Sequence, residues 1–187
     1  MRREVPPFVF ISGGCRSGKS AYAQALAERC PGQGQALFLA TAHLRDEELR
    51  LRAAEHRRAR GPCWRVQEPE PGREMELWRL LPALARDVKA VLLDSLTLWA
   101  SAALEVCPDS KTFKEGCVRL LDALRTLPCP VILVSDEVGL GLAPAEPAGR
   151  CFRDALGLVN QEAARRATQA VFLLHGLPLL LKGDRLP

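Results

Sequence analysis

The chain alternates between short apolar runs and longer stretches in which apolar residues recur at helical spacing. The short runs are apolar at successive positions, as in strands that are buried on both faces. They predict strands at Phe8–Ser12, Ala36–Ala40, Ala90–Asp94, Val131–Ser135 and Ala170–Leu174. Spacings of three and four residues predict helices at Lys19–Cys30, Asp46–Arg60, Glu74–Arg86, Lys111–Leu127 and Phe152–Ala167. This order predicts an α/β fold, with a mostly parallel sheet and helices on both faces.

Two stretches are rich in proline and glycine, Pro69–Arg73 and Val138–Gly149, and they are predicted to be loops. Neither loop is long enough to separate two domains. A chain of 187 residues can bury a single core of ordinary size. We therefore expect residues 1–187 to form one domain.

Composition narrows the class of protein. Hydrophobic residues make up 48% of the chain and charged residues 26%, which is typical of a globular protein. The net charge of +4 suits an anionic ligand but is too small for the dense basic surface of a nucleic-acid-binding protein, so no nucleic-acid partner is expected.

The seven cysteines and the apolar stretches bear on location. The cysteines are odd in number, form no CxxC pair and lie in apolar segments, which predicts buried thiols in a reducing compartment. The N-terminus has no apolar run of signal-peptide length. The longest apolar stretch, Val171–Leu181, is too short to span a bilayer. We expect a soluble, cytoplasmic protein.

A phosphate-binding loop follows the first predicted strand. The segment from Gly13 to Ser20 matches G-x-x-x-x-G-K-[ST], and a predicted helix follows it. Backbone N–H groups of such a loop and the positive end of the helix bind phosphate oxygens. The lysine reaches the β- and γ-phosphates, and the serine hydroxyl binds Mg²⁺. The predicted nucleotide-binding residues are Gly13, Gly14, Cys15, Arg16, Ser17, Gly18, Lys19 and Ser20.

A carboxylate for the metal is expected at the end of another buried strand. Asp94 ends the run VLLD and is the candidate, together with Ser20, for binding Mg²⁺. The alternative is that Asp94 or Ser95 caps the helix that begins at Leu96, and both roles are compatible if Ser95 is the cap.

One of the three histidines lies in an unusual setting. Arg52, His56 and Arg60 are four residues apart, so on a helix they share one face. Nearby positive charge favours the neutral, nucleophilic imidazole, and the arginines would attract a polyphosphate. The alternative is a solvated basic helix face with an incidental histidine. By contrast, His43 lies in a predicted loop and His175 at a predicted strand end.

Seven segments together resemble the bifunctional adenosylcobinamide kinase / adenosylcobinamide-phosphate guanylyltransferase family of cobalamin biosynthesis. They cover most of the chain in order. The segments are residues 12–20 (SGGCRSGKS), 37–42 (LFLATA), 46–64 (DEEL…R…HRRAR…W), 92–99 (LLDSLTLW), 134–144 (VSDEVGLGLAP), 149–164 (GRCFRDALGLVNQEAA) and 176–182 (GLPLLLK).

The resemblance implies a RecA-like P-loop fold and two reactions at one nucleotide site. A nucleoside triphosphate, GTP or ATP, phosphorylates the aminopropanol hydroxyl of adenosylcobinamide. GTP then transfers GMP through a histidine to the corrinoid phosphate, giving adenosylcobinamide-GDP. The histidine falls on His56, with Arg52 and Arg60 beside the nucleotide, Mg²⁺ as cofactor and a homo-oligomeric assembly.

Further residues of the matching segments are secondary candidates. Glu137 lies where the crevice of an open α/β sheet is expected, so it is a candidate to organise metal or water. Residues around the last predicted helix are candidates for ligand or subunit contacts, with capping and surface pairing as the alternative. They are Arg150, Arg153, Asp154, Asn160 and Gln161.

The chain also departs from the family pattern. Asp136 stands where the family usually has asparagine, and Thr168 where aspartate is usual. These departures bear on substrate preference more than on the reaction class. Two other functions remain open from the sequence, a monofunctional small-molecule or nucleotide kinase and a regulatory protein that binds nucleotide without acting on a second substrate.

Overall fold

Seven strands form one sheet in the computed structural model, which describes residues 6–41, 61–70 and 72–186. Their order across the sheet is β3-β2-β4-β5-β1-β6-β7. Strands β1 to β6 pair in parallel, and β7 pairs antiparallel with β6. The strands are β1 (Phe8–Gly13), β2 (Ala36–Ala40), β3 (Trp64–Gln67), β4 (Ala90–Asp94), β5 (Val131–Asp136), β6 (Gln169–Leu174) and β7 (Leu177–Lys182).

Helices connect the parallel strands. In the described residues they are α1 (Lys19–Arg29), α2 (Leu77–Leu84), α3 (Leu96–Val106), α4 (Ser110–Arg125) and α5 (Pro147–Arg166), with a 3₁₀ turn at Glu74–Glu76. Side chains cap two of them. Ser95 Oγ accepts a hydrogen bond from Leu98 N at 3.3 Å, and Asp109 Oδ2 accepts one from Thr112 N at 2.7 Å.

Strand β1 shows how the sheet is buried on both faces. Phe8 and Phe10 pack into the cluster formed with α2, α3, α4 and α5, whereas Val9 and Ile11 pack into a second cluster with α1. All six residues of β1 are buried. The predicted α/β fold with a mostly parallel sheet and helices on both faces is therefore confirmed.

The sequence missed two edge strands. Both β3 and β7 lie at the ends of the sheet, where one side of the strand has no neighbour among the described residues. Only Trp64 is buried in β3, and Leu177 and Leu181 of β7 are mainly exposed. Neither strand therefore carries the continuous apolar run of a central parallel strand.

Two helix predictions also need correction. Helix α5 begins at Pro147, within the predicted Val138–Gly149 loop, because proline is compatible with the first turn of a helix. The predicted Glu74–Arg86 helix starts as a 3₁₀ turn and becomes α-helical only from Leu77 to Leu84. The predicted helix Asp46–Arg60 lies outside the described residues.

All seven cysteines are free thiols, but the prediction that they are buried holds for only some of them. Cys117 and Cys129 are buried, and burial raises the pKa of the Cys117 thiol to about 12 and that of Cys129 to about 11. Cys15, Cys63 and Cys151 are exposed, so for them the prediction is wrong. Cys15 lies in the loop after β1 and Cys151 on the first turns of α5, outside the packed interior.

Candidate nucleotide site

The carboxyl ends of the parallel strands meet at one edge of the sheet, and the predicted phosphate loop lies there. It begins at Gly13, the last residue of β1, which pairs with Asp136 of β5 and Leu173 of β6. A Cβ atom on Gly13 would stand 2.4 Å from the carbonyl oxygen of Leu173. Only glycine fits between the neighbouring strands at this point.

The loop then turns back toward α1. Ser17 N donates a hydrogen bond to Gly14 O at 3.3 Å, and Arg16 and Gly18 adopt positive φ values of 54° and 94°. Gly18 is the N-cap of α1, and no side chain caps it. The first N–H groups of the helix therefore remain available for an anion, with the positive end of the helix behind them.

Ser17 supplies a further donor inside the loop. Its side chain is buried, and its Oγ has no hydrogen-bond partner among the described residues. A buried hydroxyl without a partner is costly, which makes it a feature that a ligand can satisfy. A phosphate oxygen is the acceptor that this loop is built to place there.

Lys19 is almost fully buried, and its ammonium group is held by two acceptors. Its Nζ donates to Gly14 O at 2.6 Å and lies 2.8 Å from Asp136 Oδ1, with 8% of the lysine side chain exposed. The contact with Gly14 keeps the charge directly over the loop. The sequence predicted that Lys19 contacts phosphate but did not predict its ion pair with Asp136.

Asp136 is held by a buried polar network behind the loop. Its backbone N donates to Thr97 Oγ1 at 2.7 Å, and its carbonyl accepts from Asn160 Nδ2 at 3.1 Å. Ser135 Oγ donates to Asn160 Oδ1 at 2.6 Å. These bonds join β5 to α3 and α5, so they fix the end of β5 beside the phosphate loop.

The two candidate metal ligands lie at the same edge of the sheet. Asp94 is the half-buried last residue of β4, and Ser20 lies in the first turn of α1. The next residue, Ser95, is the cap of α3. Ser95 is also bonded to Thr41, whose Oγ1 donates to Ser95 O at 2.6 Å and accepts from Ser95 N at 3.0 Å. The capping role is thus filled by Ser95, which leaves the metal role open for Asp94.

Glu137 follows β5 and is tied to the phosphate loop through its backbone. Its N donates to Gly13 O at 2.9 Å, and its Oε1 accepts from Gly139 N at 2.6 Å. The carboxylate therefore stabilises the turn after β5. It stands one residue from Asp136, at the crevice where ligands bind to open α/β sheets.

The turn between β6 and β7 supports the loop from the other side. Gly176 N donates to Ser17 O at 3.0 Å, and a Cβ on Gly18 would lie 3.5 Å from Gly176 Cα. His175 and Gly176 both have positive φ, as in the tight two-residue turns of antiparallel hairpins. The C-terminal hairpin is therefore part of the wall of the site.

Comparison with known proteins decides the family. Residues 9–181 match the model of the family described as cobinamide kinase / cobinamide phosphate guanyltransferase. The chain belongs to this family. The match includes the phosphate loop, the carboxylates Asp94 and Asp136 at the ends of β4 and β5, and the hairpin of β6 and β7 up to Leu181. It therefore covers the site at the carboxyl ends of the strands described above.

Curated relatives agree with the family. The chain is 39% identical over 177 residues to the bifunctional adenosylcobalamin biosynthesis protein CobP of Pseudomonas aeruginosa, with 94% of this chain and 98% of the relative covered. It is 31% identical to the bifunctional adenosylcobalamin biosynthesis proteins CobU of Escherichia coli and Salmonella typhimurium, with 93% of this chain and 99% of each relative covered. The predicted family and its class of enzyme, a cobinamide kinase and guanylyltransferase of cobalamin biosynthesis, are confirmed.

Several candidate residues of this family member are not placed by the structure. Arg52, His56 and Arg60, as well as His43, lie outside the described residues. The chain enters that segment from Thr41, which is bonded to Ser95 at the carboxyl edge of the sheet. The assignment of the nucleophile to His56 stays a prediction.

The secondary candidates around α5 have varied surroundings. Asn160 belongs to the polar network under Asp136, and Arg150 donates to the carbonyl oxygens just before α5. Arg153 pairs with its neighbour Asp154 at 3.3 Å. Asp154 and Gln161 line a cavity of about 520 Å³ between α3, α4 and α5. Asn160 therefore has a buried structural role, which is neither the capping nor the surface pairing given as the alternative. Its contact with a ligand or another subunit stays a prediction.

Thr168, one of the two departures noted in the sequence, bonds to the first strand. Its Oγ1 accepts from Phe8 N at 2.9 Å and donates to Phe8 O at 3.0 Å. The hydroxyl therefore joins the start of β1 to the residue before β6.

Among the described residues, no helix combines the length and apolar character needed to cross a bilayer.

Proposed function

We propose that one P-loop catalytic domain carries out both reactions of the family at the carboxyl edge of the sheet. The observation that carries the proposal is the phosphate loop itself, in which the Lys19 ammonium and the unpartnered Ser17 hydroxyl converge on one site. A GTP or ATP triphosphate would satisfy both groups. The family match over residues 9–181, described as cobinamide kinase / cobinamide phosphate guanyltransferase, supports a cobinamide and its phosphate as the second substrates. We take these to be adenosylcobinamide and its phosphate.

In the kinase step, the aminopropanol hydroxyl oxygen of adenosylcobinamide attacks the γ-phosphorus of the nucleotide and releases its proton to water. The bond from that phosphorus to the β–γ bridging oxygen breaks, and the nucleoside diphosphate leaves. Lys19 stabilises the charge that develops on the β–γ bridge, and the loop amides hold the β-phosphate. Glu137, tied to Gly13, is assigned to organise water or metal at the acceptor side.

In the transfer step, an imidazole nitrogen of His56 attacks the α-phosphorus of GTP, and pyrophosphate leaves. A phosphate oxygen of adenosylcobinamide phosphate then attacks the same phosphorus, forms the diphosphate bond and releases the histidine. Arg52 and Arg60 would attract the triphosphate to this nucleophile. A covalent intermediate lets one phosphate site serve the transfer in two easier steps.

The side chains at the sheet edge fit a Mg²⁺ ion that arrives with the nucleotide. Mg²⁺ usually keeps several waters and takes one or two protein ligands together with substrate phosphates. Ser20 offers a hydroxyl and Asp94 a carboxylate, which is that kind of donor set. When bound, Mg²⁺ would neutralise part of the negative charge on the phosphates.

Asp94→Asn is expected to raise the Mg²⁺ concentration for half-maximal turnover by about tenfold or more and to slow turnover, since a neutral amide is a weaker ligand. A Mg²⁺ titration of GMP transfer measures the change. Thermal unfolding without metal checks that the variant is folded, and the Ser95 cap of α3 is unchanged by the substitution. A wild-type titration curve would remove Asp94 from the metal site and make Glu137 the next candidate.

The function is tested by GTP labelled at the α-phosphate, mixed with the protein and Mg²⁺ but no corrinoid. The protein is expected to retain label while pyrophosphate is released, and adding adenosylcobinamide phosphate should discharge the label into adenosylcobinamide-GDP. Transfer of the γ-phosphoryl group to adenosylcobinamide without any protein label would favour a monofunctional kinase. Binding with only slow hydrolysis would favour a regulatory protein.

A cytoplasmic location is part of this proposal, supported by seven free thiols and by the biosynthetic family. The homo-oligomeric state and the absence of a nucleic-acid partner stay predictions from the sequence.

A further inference from the structure

Asp136 occupies a position at which its charge opposes that of the substrate. Its Oδ1 lies 2.8 Å from Lys19 Nζ, and about a third of its side chain is exposed to the crevice. In register with Gly13, it stands beside the first residue of the phosphate loop. The carboxylate therefore competes with phosphate oxygens for the buried ammonium.

The position of this carboxylate is fixed from behind. Thr97 and Asn160 bind the backbone N and O of Asp136 and not its side chain. The end of β5 is thus tied to α3 and α5, so the carboxylate stays near the loop when Lys19 turns to a nucleotide. The same arrangement means that a change of the side chain leaves the supporting bonds in place.

The charge of the incoming nucleotide decides how strongly Asp136 opposes it. Like charges a few ångströms apart repel, and the repulsion is stronger where burial excludes water. A metal-free triphosphate brings its full negative charge next to the carboxylate. A divalent cation cancels two of those charges and is itself attracted by a carboxylate.

We infer that Asp136 is a specificity-determining residue of the nucleotide site, which holds Lys19 at the phosphate loop and selects metal-bound over metal-free triphosphate. The inference rests on nucleotide binding by the phosphate loop as proposed above. It does not depend on His56 or on the corrinoid.

The test is binding of α,β-methylene-GTP, whose α–β bond cannot be cleaved, by titration calorimetry in Mg²⁺ and in EDTA. Wild type is expected to bind much more weakly in EDTA. Asp136→Asn should tighten binding in EDTA by about tenfold, equivalent to about 1.4 kcal/mol, and in Mg²⁺ by less than about threefold. The ratio of the two dissociation constants should therefore fall.

Asp87→Asn is the matched control, since it removes one negative charge at an exposed residue. Asp87 precedes β4 and so lies at the amino ends of the strands, opposite the nucleotide site. Asp87 has a φ of 58°, which asparagine tolerates, so the fold is preserved. This control should keep the wild-type ratio. Asp136→Ala provides a second neutral side chain and should reproduce the asparagine result.

Three outcomes would overturn the inference. If both affinities of Asp136→Asn and Asp136→Ala rise by the same factor, Asp136 only competes for Lys19 and does not select metal-bound nucleotide. If neither affinity changes, or if Asp87→Asn gives the same shift, the local charge has no such role. A wild type that binds no nucleotide in either condition would instead contradict the proposed function.

Discussion

Lys19→Ala is expected to reduce both phosphoryl transfer and GMP transfer by about 10³-fold, the scale of losing a buried charge-stabilising donor. Both reactions place negative charge on oxygens of the triphosphate, at the β–γ bridge in one case and on departing pyrophosphate in the other. The Nζ atom is held over the loop by Gly14 O and is the buried cation of the site. Truncation to alanine leaves the negative charge on the triphosphate oxygens without the Lys19 ammonium group in both transition states.

The measurement is the rate of each half-reaction under saturating Mg²⁺ and nucleotide. Lys89→Ala is the control, because Lys89 lies at the amino edge of the sheet, where its Nζ donates to Glu28 O at 2.8 Å. Its turnover should equal that of the wild type. Thermal unfolding checks that Lys19→Ala is folded. We expect it to be folded because the Asp136 carboxylate, which loses its ion-pair partner, is partly exposed and can be hydrated. Full turnover by folded Lys19→Ala would exclude the phosphate loop from the mechanism.

His56→Asn is expected to lose the covalent GMP label completely while keeping γ-phosphoryl transfer to adenosylcobinamide. Asparagine is close in shape to histidine but is not a nucleophile, and the phosphate loop that serves the kinase step is untouched. The wild-type label should be labile to acid and stable to base, as expected of a phosphoramidate. Labelled GTP without corrinoid measures the first activity, and labelled phosphate on adenosylcobinamide measures the second.

His43→Asn is the control for this experiment and should keep both activities. His43 lies in the same segment of the sequence but lacks the flanking arginines at helical spacing that distinguish His56. A label that persists in His56→Asn and disappears in His43→Asn would identify His43 as the nucleophile. Loss of both activities in His56→Asn would mean that the residue serves the kinase step as well.

The central strands and the phosphate loop could be predicted because their signals are local. The run that ends in Gly13 is buried on both faces, and the loop motif is contained within eight residues. Strand β7 could not be predicted in the same way, because its leucines are exposed at the edge of the sheet and its second residue, Pro178, weakens the strand signal.

The ion pair between Lys19 and Asp136 lies beyond local sequence patterns. It depends on the parallel pairing of β1 with β5, which brings together residues far apart in the chain. One signal was present, since Asp136 ends an apolar run just as Asp94 does. Each apolar run is followed by a carboxylate at the end of a strand, but only the strand order shows that Asp136 is the one that reaches Lys19.

The strand order also has a consequence for how the chain folds as it leaves the ribosome. Strand β1 is made before the other strands of the sheet, yet within the described residues it pairs with β5 and β6, which are made much later. The phosphate loop also waits for Gly176, whose N–H closes against Ser17. Strand β1 can therefore pack against α1 early, but it remains without its strand partners through most of the synthesis of these residues, and pairing over such long separations is slow. The nucleotide site is therefore assembled from segments of the chain that are synthesised far apart in time.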